Sequence, residues 1–427
     1  LGLAPGARPV STPHRQLRGI HALDDFEPAA RRLLPRPIFG YVYGAAETGA
    51  SQRDNRNAFD EIGFLPRVLN NVAQRTQKRC LFGREWSSPF GIAPMGVSAL
   101  TAYRGDVVLA ESAARAGIPM IMSGSSLTPM EDVARAAPES WFQAYLPPTL
   151  ERIEALVDRV ARASFGTLVV TVDSAVRGNV ENYRRAGFTS PLQPDLALLW
   201  QGLTHPRWSI GTFLRTLATT GMPHFENTDN DKRTPVVARN VVREFSGRAH
   251  LDWQAIARIR DQWRGRMVLK GIMHPADAVR AGRLGIDGVI VSNHGGRQLD
   301  GAVSPLRVLP VLREAVGPRT ALMVDSGFRR GSDVLKALAL GADFVFIGRP
   351  FNYAAAIAGP AGVAHAAKIL AAEIDTNMGL LGINSLDELG RGHLVIRGEL
   401  PFSAPENAGE ARAEEERGSN PRVSSRA

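Results

Sequence analysis

The chain has 427 residues, 44% of them apolar, and a formal net charge of +9, which together fit one elaborated α/β barrel or two to three ordinary domains with an anionic partner. Charge alone leaves nucleic acid, an acidic membrane surface and a phosphorylated ligand open as that partner. The single cysteine, Cys80, excludes an internal disulfide and a cysteine-rich metal site, and the lack of a run of about 20 apolar residues predicts no membrane-spanning helix.

Both ends of the chain are predicted to be disordered tails. Residues 1–18 are rich in Pro, Gly and Arg, and residues 404–427 lack apolar periodicity. Between them, residues 19–403 alternate short apolar or β-branched runs with amphipathic stretches of helical period. We therefore predict one domain flanked by two tails.

Eight of the apolar runs are predicted to be β-strands. Helix signals lie between them: one helix opens at His274 and Pro275 and ends near Gly285, and another opens at Gly331 and ends near Gly341. This alternation indicates parallel strands with right-handed crossovers, and eight strands favour a (β/α)8 TIM barrel. A doubly wound sheet is the weaker alternative, because no GxGxxG follows the first strand. The predicted strands are 90–95, 120–124, 141–146, 168–173, 267–271, 289–294, 322–327 and 344–348.

Polar or conformationally special residues stand at the carboxyl end of every predicted strand. In a barrel, the loops at these ends build the active site. Each residue alone reads more simply as an ordinary cap, but the set across all eight ends indicates a shared site. The set comprises Pro94, Met95, Gly96, Ser123, Gln143, Tyr145, Thr171, Asp173, Lys270, Ser292, His294, Asp325, Ser326, Gly327, Gly348 and Arg349.

The connection after the fourth predicted strand is too long for a single crossover helix. About ninety residues separate Asp173 from the next strand, so we predict an insertion at about 187–250. It mixes Trp200 and Trp208 with Arg207 and other basic residues. Composition is equally compatible with a segment at a membrane interface and with a lid or subunit contact packed on the barrel.

Two loops that combine glycine with arginine follow the last two predicted strands. Gly327 and Arg329 lead into one helix, and Gly348 and Arg349 lead into the next. Glycine lets the backbone approach an oxyanion, helix N-termini present free N–H groups, and arginine adds charge. In a barrel this pair of loops is the usual phosphate site, so a phosphate-bearing ligand is expected. The alternative is that both arginines are solvated at helix starts.

The sequence SNHGGRQLD, at residues 292–300, places His294 three residues before Arg297. Histidine can accept a proton near neutral pH, and arginine can bind a carboxylate through two hydrogen bonds. A base beside a carboxylate-binding cation suits oxidation of a 2-hydroxy acid. Asp173 would orient and stabilise protonated His294, and Lys270 would place positive charge against an anionic reduced cofactor. The alternative for His294 is a structural histidine.

Over residues 20–395 the sequence resembles the FMN-dependent 2-hydroxy acid dehydrogenase and oxidase family. The most specific motif is SNHGGRQLD, and it is reinforced by DSGFRRG at 325–331, KALALGA at 336–342 and NRNAF at 55–59. The resemblance implies that Tyr41 and Arg297 bind the substrate carboxylate, that Tyr145 lies near the substrate hydroxyl, and that His294, paired with Asp173, is the base. It also implies bound FMN, no metal site, and these FMN contacts: Ala93, Pro94, Met95, Gly96, Ser123, Gln143, Thr171, Lys270, Ser292, Asp325, Ser326, Gly327, Arg329, Gly348 and Arg349.

Gly96 and the insertion most resemble the membrane-associated mandelate and lactate dehydrogenases of that family. The resemblance therefore favours the interfacial interpretation of the insertion and implies a quinone or other electron acceptor, a cytoplasmic homotetramer peripheral on the inner face of the membrane, and no nucleic-acid partner. An oxidase that produces hydrogen peroxide is the closest alternative. A different class of FMN barrel, such as a diphosphate isomerase, would need no carboxylate-binding site, and the presence of Tyr41 and Arg297 argues against it. A non-enzymatic basic module that binds membranes or nucleic acid leaves the strand-end residues unexplained.

One position departs from the family pattern. Val180 stands where the family usually has an arginine that faces the substrate. Loss of this cation would weaken carboxylate binding by about 1–3 kcal/mol, or would accommodate a bulkier, less polar substrate. Arg177 and Arg184 are candidates to compensate from a rearranged loop. The sequence leaves these outcomes open.

Overall fold

The computed structural model of the chain describes residues 15–227, 234–238 and 248–397. The predicted C-terminal tail, 404–427, and most of the N-terminal tail lie outside the described residues. The described chain begins with a 3-10 helix, Arg15–Leu17, in which Leu17 is buried. The last residues that were assigned to the N-terminal tail are therefore part of the packed domain.

Eight parallel strands form the central sheet. Their order starts at Phe90–Ile92 and then runs back along the chain through Phe344–Ile347, Ala321–Val324, Gly288–Val291, Arg266–Ile272, Thr167–Thr171 and Trp141–Ala144 to Ile121–Ser123. A parallel bridge between Ile92 and Met120 links the first strand of this order to the start of the last, so the sheet closes into a barrel. All eight predicted strands and the TIM-barrel fold are confirmed. The strands are β1 (Ile62–Phe64), β2 (Arg79–Leu81), β3 (Arg84–Trp86), β4 (Phe90–Ile92), β5 (Ile121–Ser123), β6 (Trp141–Ala144), β7 (Thr167–Thr171), β8 (His224–Phe225), β9 (Thr234–Pro235), β10 (Arg266–Ile272), β11 (Gly288–Val291), β12 (Ala321–Val324), β13 (Phe344–Ile347) and β14 (Leu394–Ile396).

The barrel strands are apolar along their whole length because both of their faces are buried. Along β7, Val169 points into the barrel, whereas Leu168 and Val170 face the surrounding helices. The same alternation holds in β11, where Ile290 lies inside and Val289 outside. Strands that are buried on both faces appear in the sequence as continuous hydrophobic runs, and for this reason the eight strands could be predicted.

Helices surround the barrel, and their starts follow the predicted signals. The helix predicted from Pro275 runs from Pro275 to Arg283, and the His274 side chain caps it by accepting from the Ala276 backbone N–H. The helices are α1 (Phe26–Leu33), α2 (Arg36–Tyr43), α3 (Ala50–Asp60), α4 (Ser98–Thr101), α5 (Gly105–Ala116), α6 (Met130–Ala136), α7 (Leu150–Arg162), α8 (Glu181–Ala186), α9 (Leu196–Thr204), α10 (Pro206–Trp208), α11 (Arg215–Thr220), α12 (Trp253–Gln262), α13 (Pro275–Arg283), α14 (Pro305–Val316), α15 (Gly331–Ala339) and α16 (Arg349–Leu381), with a π-helical stretch at Ser209–Leu214.

Among the described residues, one helix, α16, is long and apolar enough by length and composition to cross a membrane. It is kinked at Ala358 and Gly359, and its residues Phe351, Leu370 and Ile374 are fully buried against the rest of the domain. We therefore assign α16 to the core of the domain, where its apolar composition has a structural reason.

In the described part of the insertion, residues 187–227, 234–238 and 248–250, one face is packed and one face is exposed. Trp208 is buried, donates a hydrogen bond of 2.6 Å to the Leu100 backbone oxygen and stacks on Phe213. Trp208 therefore anchors the insertion to the barrel, and any interfacial surface of the insertion is formed by other side chains. By contrast, α9 buries none of its residues, and Leu196 and Trp200 are 84% and 63% exposed.

Candidate active site

A cavity opens at the carboxyl ends of the barrel strands and brings together most of the predicted site residues. Asp173, Ser123 and Ser292 do not line the cavity but support side chains that do. The lining residues that the sequence predicted are Tyr41, Ala93, Pro94, Met95, Gly96, Gln143, Tyr145, Thr171, Lys270, His294, Arg297, Asp325, Ser326, Gly327, Arg329, Gly348 and Arg349.

His294 is held between a carboxylate and a phenol. It follows β11 in the left-handed region, at φ 58°, which turns its side chain into the cavity. Its Nδ1 lies 2.9 Å from Asp173 Oδ1, and its Nε2 lies 3.3 Å from the Tyr145 hydroxyl. A neutral imidazole that donates from Nδ1 to the carboxylate keeps a lone pair on Nε2, so the nitrogen that faces the cavity can act as a base.

Electrostatics keep Asp173 ionised in this setting. Burial acts to raise the pKa of its carboxyl, but the charge and hydrogen bond of His294 and the charge of Lys270 outweigh burial, so the pKa lies below its ordinary value. Burial raises the pKa of the Tyr145 phenol, and the negative charge of Asp173 adds to that effect. Tyr145 is therefore a neutral hydroxyl that can donate or accept a hydrogen bond beside His294.

Arg297 and Tyr41 line the same cavity as His294 and Tyr145. The Arg297 guanidinium lies 4.9 Å from the centre of the Tyr41 ring and donates a 3.0 Å hydrogen bond to the Val42 backbone oxygen. Tyr41 in turn packs on Tyr183 and Phe188, at ring-centre distances of 5.4 and 4.4 Å. Aromatic packing thus orients both predicted carboxylate ligands toward one space.

Lys270 is more constrained than its sequence position suggested. Its Nζ lies 2.8 Å from Asp325 Oδ2 and donates a 2.8 Å hydrogen bond to Ser292 Oγ, and all three side chains are buried. Ser292 Oγ also accepts from the His294 backbone N–H at 3.0 Å, which links the lysine to the histidine loop. Asp325 offsets part of the Lys270 charge, and the ammonium keeps a fixed position on the cavity wall.

The two predicted phosphate-site arginines both line the cavity and are half-buried rather than solvated at helix starts. Arg349 donates 3.0 Å hydrogen bonds to the backbone oxygens of Val42, Gly44 and Gly295. Burial, and then the positive charge of Arg297, lower the pKa of Arg349 to about 10. Burial also lowers the pKa of Arg329, although Asp24 lies 3.6 Å away. Buried, mutually repelling cations need an anion, and a phosphate fits that need.

A buried amide supplies a second sign that the cavity is built for a polar ligand. Gln143 Nε2 is buried and has no hydrogen-bond partner among the described residues, while Gln143 Oε1 accepts from Ser123 Oγ at 3.1 Å. Ser123 therefore fixes the amide so that its N–H groups face the cavity. A donor on the wall, apolar Met95 beside it and cations at one end match an isoalloxazine ring with a phosphate tail.

Gly96 leaves the space in which Tyr41 sits. A methyl group at Gly96 would lie 2.9 Å from the Tyr41 hydroxyl and 3.1 Å from Ser125 Cβ. Both distances are shorter than ordinary side-chain contacts. The glycine that the sequence singled out thus has a local steric role in the substrate-facing wall.

The outer part of the cavity is mostly apolar and contains a cation that sequence reasoning missed. Val180 and Phe188 line it together with Arg248, whose guanidinium lies 5.5 Å from the centre of the Tyr145 ring. Arg248 comes from the end of the insertion, where no periodicity or motif marked it. Only the folded chain shows that it reaches a strand-end tyrosine.

Among the described residues, no group of three His, Cys, Asp or Glu side chains could hold a metal ion. The polar groups of the cavity are instead arranged as an ion pair, a histidine with its carboxylate, and three arginines. This arrangement can bind an anionic organic ligand and transfer a proton.

Known proteins with similar sequences and structures are dehydrogenases and oxidases. The sequence profile of the FMN-dependent dehydrogenase family matches residues 30–396. The L-lactate dehydrogenases of Caulobacter sp. (strain K31) and Ectopseudomonas mendocina (strain ymp) are each 37% identical, and the alignments cover 88% of this chain and 98% and 99% of theirs.

Solved structures agree with the sequence relatives. A monotopic membrane protein, (S)-mandelate dehydrogenase, superimposes with a TM-score of 0.82 at 33% identity, covering 89% of this chain and 100% of that chain. A mandelate oxidase in complex with (S)-2-phenylpropionate gives a TM-score of 0.73 at 32% identity, covering 88% of this chain and 98% of that chain.

Proposed function

The chain belongs to the FMN-dependent dehydrogenase family, and from this premise we propose that it oxidises an L-2-hydroxy acid, lactate-like or mandelate-like, to the 2-oxo acid. The observation that carries the proposal is that His294, whose Nδ1 lies 2.9 Å from Asp173 Oδ1, lines one cavity with Arg297. A base and a carboxylate-binding cation in one space are what this substrate class requires.

The substrate carboxylate binds between Arg297 and Tyr41. The hydroxyl-bearing carbon then lies toward His294 and Tyr145, since these side chains line the same cavity. In this orientation Arg297 fixes the anion, and the Tyr145 hydroxyl, 3.3 Å from His294 Nε2, hydrogen-bonds the substrate oxygen. Such positioning supplies a large share of the catalytic effect in a reaction between bound partners.

His294 Nε2 accepts the proton that the substrate loses on oxidation. Asp173 stays ionised and stabilises the imidazolium that forms, through the hydrogen bond at Nδ1. Lys270, held by Asp325, keeps a positive charge at the wall. When bound, FMN would accept the two electrons and the second of the two hydrogens that the substrate loses, and Gln143, Lys270, Arg329 and Arg349 are the side chains that would hold it.

The direct test of the site assignment is a comparison of His294→Ala with the wild type. We expect the variant to retain FMN, because Gln143, Arg329 and Arg349 are unchanged, and to lose nearly all reduction by 2-hydroxy acids. Release of FMN from the variant, or normal reduction by a 2-hydroxy acid, would show that His294 has another role.

We further propose that the exposed face of the insertion docks on an anionic membrane, where a quinone reoxidises the flavin. The apolar side chains of Leu199, Trp200, Leu203 and Ile210 are 60–66% exposed, while Trp208 anchors the other face. Exposed apolar groups on a basic chain suit an interfacial surface. This assignment places the protein at the inner face of the cytoplasmic membrane.

The docking face can be tested with vesicles of phosphatidylglycerol. The double variant Trp200→Ser with Leu203→Ser should weaken partition by about tenfold or more, because each removes apolar surface that would enter the interface. Leu69→Ser is the matched control, since Leu69 is fully exposed but lies outside the insertion. Equal partition of all three proteins would contradict the docking assignment.

The electron acceptor and the assembly are separable parts of the proposal. Reoxidation by a quinone in vesicles should exceed reoxidation by oxygen in the same buffer, whereas rapid peroxide formation in air would indicate an oxidase. We also propose a homotetramer, on the basis of the family. Light scattering of the purified protein tests it, and a monomeric mass would contradict it.

A further inference from the structure

Arg248 reaches the substrate side of the cavity from outside the barrel. It lies just before α12, is half-buried, and places its guanidinium 5.5 Å from the centre of the Tyr145 ring. The same part of the cavity is lined by His294 and Arg297. A residue of the insertion therefore stands beside the groups that face the substrate.

The described part of the chain gives the guanidinium of Arg248 no counter-charge. Among the described residues, no carboxylate lies within 4.0 Å of it and no side-chain hydrogen bond from it is formed. Arg159 shows the contrast, since its Nε donates to Glu131 at 2.8 Å and its Nη1 to the Glu226 backbone oxygen. Five N–H donors on a partly desolvated cation call for an anionic acceptor, and the face of Tyr145 satisfies none of them with an oxygen.

Electrostatics place Arg248 and Arg297 near the same phenol. Burial raises the pKa of Tyr145, and the positive charges of Arg297 and Arg248 both act against that rise. Burial also lowers the pKa of Arg248 itself. Both arginines line the same cavity as Tyr145, whose hydroxyl lies 3.3 Å from His294 Nε2.

The wall around Arg248 is mostly apolar, although Arg177 and Arg297 also line this cavity. Val180 lines the same outer cavity and contributes only methyl groups, and Phe188 and Phe225 add further apolar surface. A ligand with one anionic end and an apolar side chain fits such a wall: its charge would lie between the arginines and its side chain against the apolar residues.

We propose that Arg248 is a substrate-binding residue that, together with Arg297, holds the carboxylate of a 2-hydroxy acid with an apolar side chain. This inference rests on the proposed function for the identity of the ligand. It assigns to the insertion a second role besides docking, because Arg248 connects the insertion directly to the substrate.

The test uses the FMN-loaded enzyme and two probes of nearly equal shape, phenylacetate and phenylacetamide. Neither has a hydroxyl group to oxidise, so binding is measured by calorimetry and by the change in flavin absorption. Arg248→Met keeps the length of the side chain but removes its charge. Arg258→Met is the matched control, since Arg258 is exposed on α12 and lines none of the cavity.

We expect Arg248→Met to raise the Kd of phenylacetate by about ten- to a hundredfold, because a charged hydrogen-bond partner is lost. The Kd of phenylacetamide should change by less than about twofold, and Arg258→Met should match the wild type for both probes. Adding Val180→Arg to Arg248→Met should recover part of the lost phenylacetate affinity, since it returns a cation to the same cavity.

Three results would overturn the assignment. These are unchanged phenylacetate binding in Arg248→Met, an equal loss of phenylacetate and phenylacetamide binding, and no phenylacetate binding by the wild type. Failure of the proposed function has a different signature, namely a wild-type flavin that no 2-hydroxy acid reduces. The binding comparison is then still decisive for Arg248, because it does not depend on turnover.

Discussion

The barrel and the insertion place their polar and apolar side chains in opposite ways: the barrel buries charged groups, and the insertion exposes apolar ones. In the barrel, Lys270, Asp325 and Ser292 are buried and hydrogen-bonded to one another, so charge is kept inside at fixed positions. In the insertion, α9 exposes its leucines and Trp200 to the surface. The barrel holds the side chains proposed for the chemistry, and the insertion supplies the exposed face proposed to dock on a membrane together with Phe188, Phe225 and Arg248 of the cavity wall.

The largest effect should come from the centre of the barrel. His294→Ala should lower kcat by about a hundred- to ten-thousandfold, the usual contribution of a general base. Steady-state turnover measures kcat, and single-turnover experiments show whether the rate constant of flavin reduction falls with it. His21→Ala is the control, since His21 is exposed, and it should match the wild type. Normal turnover in His294→Ala would contradict the assignment of His294 as the base, and with it the assignment of the chemistry to the barrel.

Within the insertion, one tryptophan should matter far more than another. Trp208→Ala should lower the free energy of unfolding by about 3 kcal/mol, because it removes a buried ring and the 2.6 Å hydrogen bond to Leu100. Trp200→Ala should change it by less than about 0.5 kcal/mol, since Trp200 is largely exposed. Denaturant unfolding measures both. Equal effects would contradict a two-faced insertion.

A single methyl group should disturb the substrate-facing wall. Gly96→Ala should lower kcat/KM by about tenfold, because the new Cβ would lie 2.9 Å from the Tyr41 hydroxyl and displace it. Steady-state kinetics with a 2-hydroxy acid measures the change. Combining Gly96→Ala with Tyr41→Phe removes the clashing hydroxyl. If Gly96→Ala costs just as much in that background, the contact with Tyr41 is not the cause.

The smallest effect is expected from Asp300, which connects the loop that contains His294 to residues at the start of α3. Asp300 accepts hydrogen bonds from Thr48 Oγ1 at 2.6 Å and from the Ser51 backbone N–H at 2.9 Å. Burial acts to raise its pKa, but the hydrogen bonds from Thr48, Ser51 and Ala50 outweigh burial and lower the pKa to about 2.

Because the folded-state pKa of Asp300 is lower than the unfolded one, ionised Asp300 stabilises the fold at pH values above about 4, and this contribution is lost as the pH falls toward 2. Asp300→Asn should therefore cost about 1 kcal/mol at pH 7 and less at pH 3. Unfolding at both pH values measures it. A cost that does not depend on pH would contradict the ionic role.

The barrel could be predicted because its strands are buried on both faces and its polar residues stand at one end of each. The eight runs, the helix starts at Pro275 and Gly331, and the pair of His294 with Asp173 all follow from such local signals. Strand ends meet at one rim in a barrel, so residues distant in sequence were correctly expected to share a site.

Contacts that depend on chain folding outside this repeat could not be predicted. Arg248 contacts Tyr145 although the sequence of the insertion before it shows no periodicity that would predict the contact. Trp208 is turned toward the barrel although the composition of the insertion suits a membrane interface equally well. The pairing of Lys270 with Asp325 joins β10 and the end of β12, which have β11 between them, and strand spacing does not identify which side chains will meet there. Long-range packing, and not local propensity, decides these three cases.

The most direct test of the central claim is the visible spectrum of the purified protein without oxygen, recorded before and after addition of L-lactate and then (S)-mandelate. We predict a yellow, FMN-containing protein whose flavin absorption is bleached by at least one of these acids and by neither of the opposite enantiomers. A protein that cannot be loaded with FMN, or a loaded protein whose flavin no 2-hydroxy acid bleaches, would contradict the account.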